Sequence, residues 1–110
     1  MNTDINKFID ACIEKGKGED AGDVDSDRLY YEIIVSVYNH LKDSNRLIEL
    51  IDLLEHENPY VRLWAASYCL QIEPSKAKKA LKKLTKEKGV MAGFSAKITL
   101  NEWNKGTLIH

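Results

Sequence analysis

The sequence predicts an all-α fold, and two observations carry that prediction. Apolar residues recur at helical spacing along nearly the whole chain, and no stretch alternates apolar and polar residues as a half-buried strand does. Cap residues, prolines and glycines then divide the chain into six helices joined mostly by short turns.

Each helix has its own signals. Ile5, Phe8, Ile9, Cys12 and Ile13 share one face of a first helix that Thr3 or Asp4 caps and that Gly16 and Gly18 stop. An acidic loop, residues 16–25, follows. Ser26 or Asp27 opens a second helix with the stripe Tyr30, Ile33, Ile34, Val37, Tyr38 and Leu41. Ser44 caps a third, with Leu47, Ile48, Ile51 and Leu54 facing inward. Asn58-Pro59, a cap residue before a proline suited to the first helical position, starts a fourth that ends near Ile72, ahead of Glu73-Pro74. That helix is apolar nearly all round, which places it between neighbours at the centre of the fold. Ser75 starts a fifth, with Ala77, Ala80, Leu81 and Leu84 inward and a stop near Gly89. The sixth spans about residues 92–104, with Phe94, Ala96, Ile98, Leu100 and Trp103 on its apolar side, and Gly106 terminates it.

A chain of 110 residues, 44% hydrophobic and 30% charged, suits one globular domain over 1–110 and is too short for a multi-domain enzyme. No apolar run approaches the roughly 18 residues of a membrane span. The opening MNTDINKF lacks the basic and then apolar segments of a signal peptide. Cys12 and Cys69 occupy apolar helical positions with no CxxC spacing, so reduced core thiols and a cytoplasmic location are expected.

The net charge of −1 conceals a polarity. Residues 1–57 hold fourteen acids and six bases, a charge of −8, whereas residues 58–110 hold three acids and ten bases, a charge of +7. The protein is therefore a charge dipole, which is either two solvated faces or a docking surface.

The stretch Asn58-Pro59-x-Val61-Arg62-x-x-Ala65-Ala66-x-x-x-Leu70 resembles the second helix of a HEAT repeat, with the 47–54 helix as the first. The pairs on either side read as degenerate copies. Residues 58–106, with Gly93-Phe94-x-Ala96-Lys97-x-x-Leu100-x-x-Trp103 near their end, also resemble a family of small bacterial HEAT-like domains of unknown function, some of which look like immunity proteins of toxin systems. The resemblance implies an α-solenoid of about three antiparallel helix pairs, about the least that makes such a stack stable.

Four groups of residues are candidates for function. Glu19, Asp20, Asp23, Asp25 and Asp27 form the acidic cluster. Asp23-x-Asp25-x-Asp27 begins like a calcium loop, but Arg28 stands where the turn glycine belongs and Ile34 where the bidentate glutamate belongs, so no metal is expected. These acids suit the dipole of the second helix, or a basic partner for which they mimic a phosphate backbone. Tyr60, Trp64 and Tyr68 stripe the fourth helix, and Tyr30, Tyr31 and Tyr38 the second. Second helices of stacked pairs line the concave side, so both stripes would face one groove. Tyr30, Tyr38 and Trp64 also suit a core, whereas Tyr31 and Tyr60 lie nearer the polar sides of their helices. The lysine-rich helix 75–88 is either a solvated face or a phosphate contact, but it holds no arginine and no interleaved aromatic. Catalysis has the least support. His40, His56 and His110 form no metal pair, and no nucleophile motif, phosphate loop or cofactor fingerprint is present.

These readings lead to a protein-binding module without cofactor, metal or membrane partner. Its expected contacts are Glu19, Asp20, Asp23, Asp25, Asp27, Tyr31, Tyr60 and Trp64. The resemblance makes its partner a bacterial toxin domain, perhaps a basic nuclease, neutralised by blocking its active site. The alternatives are a general protein scaffold or a nucleic-acid-binding domain that uses helix 75–88.

Overall fold

The computed structural model describes residues 3–87 and 91–108, and these form six helices and no strand. In chain order they are α1 (Thr3–Ala21), α2 (Val24–Asp43), a 3-10 helix (Leu47–Glu55), α3 (Pro59–Cys69), α4 (Pro74–Thr85) and α5 (Met91–Lys105). The expected stop at Gly89, together with Lys88 and His110, lies outside the described residues.

The chain builds outward from α3. The Asn58 side chain accepts the N–H groups of Tyr60 at 2.9 Å and Val61 at 3.2 Å, and Pro59 fills the first helical position. From Tyr60 to Cys69 every residue except Arg62 and Trp64 is buried. Such a helix needs neighbours on all sides, and α3 packs on α1, the 3-10 helix, α4 and α5. Elsewhere α1 lies on α2 and α4 on α5. Between α2 and α3 long aromatic side chains bridge the gap. The Tyr38 and Tyr68 rings stack with centroids 4.0 Å apart, and Gln71 Nε2 donates to the Tyr38 oxygen at 3.0 Å.

Helix ends differ from expectation in several places. The helix expected to run to about Ile72 stops at Cys69, and the next begins at Pro74 with Glu73 at the cap position, not at Ser75. Gly16 and Gly18 do not stop α1, which continues to Ala21, so Glu19 and Asp20 sit on a helix and not in a loop. Gly22 makes the stop, at φ +72°, with the Asp23 amide donating to the Gly18 carbonyl and the Gly22 amide to that of Glu19. Asp23, not Ser26 or Asp27, caps α2, accepting from the Ser26 amide at 3.1 Å. Ser44 ends α2 and does not open the next helix. Asn45, at φ +58°, supplies the left-handed residue that a glycine supplies after α1.

Two apolar faces also turn out differently. Residues 47–55 wind as a 3-10 helix, whose tighter period carries Leu47, Leu50 and Leu53 along one side and leaves Ile48 exposed. In α5 the small residues Ala92, Gly93 and Ala96 are the buried ones, and Phe94 (61% exposed) and Ile98 face outward. Arg46 ties the 3-10 helix to α1, donating to Asp4 Oδ2 at 3.0 Å and Glu49 Oε2 at 2.7 Å.

Candidate functional site

A groove of about 560 Å³ runs across α2, α3 and α5. Tyr31, Val35, Tyr38 and Asn39 of α2 form one side, Leu63, Trp64, Ser67 and Tyr68 of α3 the floor, and Ser95, Ile98 and Thr99 of α5 the other side. Four rings run along it without a break. Tyr31 lies 5.8 Å from Trp64, Trp64 lies 6.1 Å from Tyr68, and Tyr68 stacks on Tyr38. Tyr31 is 46% exposed, so the ladder begins in solvent and ends in the core. Trp64 Nε1 is buried within the floor and has no acceptor among the described residues. An orphaned donor of this kind normally costs about 1–3 kcal/mol.

Glu19 brings the acidic cluster to the end of this groove. It shares with Asp27 the ammonium of Lys15, which is only 6% exposed and donates at 2.7 Å to each carboxylate. The same Nζ lies 5.3 Å from the centre of the Trp64 ring. Burial on its own would lower the Lys15 pKa, but the hydrogen bonds to Asp27 and Glu19 and the charges of both outweigh it. The pKa is raised and the lysine stays protonated. One cation thus joins α1 to α2 and lines up with the aromatic ladder.

Of the eight expected contact residues, Glu19, Tyr31 and Trp64 line the groove and Asp27 adjoins it through Lys15. Tyr60 does not. It is 5% exposed, against the expectation that it faces solvent, because its ring covers Gly16 and its hydroxyl donates to Asp20 Oδ1 at 2.7 Å. Burial, and then that bond to Asp20, push the Tyr60 phenol well above its ordinary range. Asp20 therefore clasps α1 to α3, and Asp23 caps α2. Asp25, exposed and bonded through its side chain to no described residue, meets the fold only through the dipole of α2, in whose first turn it sits. The sequence reading missed Lys15, although its spacing of four from Glu19 was visible, and it turned Ile98 inward.

A second groove, about 880 Å³, opens between the 3-10 helix and α4. Lys76, Lys79 and Lys83 of the lysine-rich helix line it, facing Asp52, Glu55, Glu57 and Glu87. Arg62 Nη1 and Nη2 bond both oxygens of Glu87 at 2.5 and 3.0 Å, and that pairing holds the Glu87 carboxyl below its usual range. Three lysines of α4 thus share a groove with four carboxylates. Among the described residues no three His, Cys, Asp or Glu side chains converge as a metal site, and no helix is long and apolar enough to cross a membrane.

No curated protein matches the sequence. The fold is similar to that in the crystal structure of the protein RPA1889 from Rhodopseudomonas palustris CGA009. The TM-score is 0.84 at 23% identity, over 94% of this chain and 87% of that one. The family model for the domain of unknown function DUF2019 matches residues 3–104, and the chain belongs to that family.

Proposed function

We propose that this chain is a protein-binding module, a HEAT-like stack of helix pairs that grips its partner in the groove across α2, α3 and α5. One observation carries the reading: apart from Glu19 of α1 and Leu108, the groove is lined by every second helix, the arrangement expected of the concave side of such a stack, and the tyrosine–tryptophan ladder lies along it. Tyrosine and tryptophan are the side chains that most often dominate binding energy, and an exposed Tyr31 leading to a half-buried Trp64 has the form of an anchor site. The acids beside the groove favour a basic partner and speed its approach, with an on-rate that falls as salt rises. On the resemblance to immunity proteins, that partner is a cytoplasmic bacterial toxin domain whose active site the groove side covers.

Nucleic acid along α4 is the rival reading, and the four carboxylates that share a groove with Lys76, Lys79 and Lys83 oppose it. Affinity capture from lysate of the source organism, with wild type and Tyr31→Ala side by side, separates the two. The proposal expects one basic protein, near one-to-one, held by wild type through a high-salt wash and lost from Tyr31→Ala. An eluate rich in nucleic acid that disappears at high salt, equal for both proteins, contradicts it.

A further inference from the structure

The geometry points to an arginine side chain as the anchor that the groove takes from its partner, seated against Tyr31 and Trp64 with its guanidinium on Glu19. The inference rests on the binding reading above and specifies the chemistry of the occupant. Among the described residues lining the groove Glu19 is the one that carries a charge. Although Lys15 lies against it, that single ammonium is shared with Asp27, so two carboxylates face one cation and the site stays net negative. Lys15 takes one Glu19 oxygen at 2.7 Å, and no other described residue bonds the second, which keeps its capacity to accept from a further donor.

The fold already contains this kind of site with its own cation in it. Lys15 sits over the Trp64 ring at 5.3 Å, between two carboxylates, which is how a cation is held when aromatic and anionic groups act together. Tyr31, inclined at 57° to Trp64 and facing solvent, offers a second ring to an incoming cation.

Arginine suits the site better than lysine. A planar guanidinium lies flat on a ring while its edge presents donors to a carboxylate, and it sheds water more readily than an ammonium. The remaining polar groups along the groove, those of Asn39, Ser67, Ser95 and Thr99, all include acceptors for further N–H groups. A phosphate, by contrast, would meet Glu19, and the neighbouring Lys15 is already held by two carboxylates.

The test is a titration of the full chain, followed by ¹H–¹⁵N resonances, with Nα-acetyl-arginine amide and its neutral isostere Nα-acetyl-citrulline amide. Trp103, away from the groove lining, serves as the reference indole. The arginine compound is expected to shift the Trp64 indole and the Tyr31 and Ile98 amides saturably at about millimolar concentration, and citrulline to bind about fivefold more weakly. Glu19→Gln, its fold verified by its own spectrum, should remove that preference. Equal responses to the two compounds, or no Trp64 shift up to about 50 mM, overturn the arginine anchor. A partner whose capture needs Tyr31 but is indifferent to Glu19→Gln also overturns it, and leaves the binding reading standing.

Discussion

The ring of Tyr60 lies against the backbone of Gly16, so closely that a Cβ at Gly16 would fall 2.2 Å from Tyr60 Cδ2. Two effects of Gly16→Ala therefore oppose one another. Alanine favours the interior of a helix over glycine by about 1 kcal/mol, but here the new methyl must displace a buried ring that is also bonded to Asp20. Displacement wins, and Gly16→Ala should destabilise by about 1–3 kcal/mol in urea unfolding. A stabilised variant would show that α1 and α3 do not approach as described.

Stability should fall on the alkaline side. Burial raises Cys12 well above its ordinary value and pushes Cys69 up to about 12, while an unfolded thiol titrates near about 8.5. A raised folded pKa contributes stability that is complete below the unfolded value and is lost as pH rises toward the folded one. Each thiol should therefore remove about 1.4 kcal/mol per pH unit above about pH 8.5. Cys69→Ala should make the decline shallower by one proton, measured by unfolding at pH 8 to 10. An unchanged slope would mean that Cys69 is not buried.

On the acid side the relevant pair is Arg62 with Glu87. A depressed carboxyl pKa contributes stability above the unfolded value, about 4.3, that is lost as pH falls through the lower folded one. Glu87→Gln should cost about 1 kcal/mol at pH 7, a small figure because Glu87 is 37% exposed. The difference from wild type should vanish in unfolding experiments near pH 3. A constant gap at both pH values would place the effect in packing instead of charge.

Neighbouring acids should behave unlike one another. Asp23 caps α2, and Asp23→Ala should lower stability by about 1 kcal/mol. Asp25 bonds nothing described and acts on the fold only through the dipole of α2. Asp25→Lys should therefore cost no more than about 1 kcal/mol in urea unfolding and should slow association with the captured partner in stopped flow, most at low salt. Equal association rates would remove Asp25 from the steering field.

Legibility in the sequence followed the range of the interaction. Asn58-Pro59, the apolar α3 and the stop at Gly106 are local signals, and each was read correctly. Gly16 was misread because a glycine that ends a helix and one that admits a ring look identical without the ring, forty-four positions away. Ile48 was turned inward because the 3.6-residue period was applied where a 3-10 helix has three residues per turn. Phe94 and Ile98 share the expected apolar side with Ala96, whereas α5 approaches its neighbours through Ala92, Gly93 and Ala96. At the candidate site, Tyr31, Tyr38, Trp64 and Tyr68 line one groove, whereas Tyr30 and Tyr60, expected there with them, do not. Tyr60 was lost to Asp20, a contact between residues far apart in the chain that no spacing announces.

The most direct test of groove binding is hydrogen exchange of the captured complex against the free protein. Slowed exchange should appear in the segments around residues 31–39, 63–68 and 95–99, with the segments around 52–57 and 76–83 unchanged. Protection confined to those last two segments would move the interface to the charged groove between the 3-10 helix and α4, and would contradict the account.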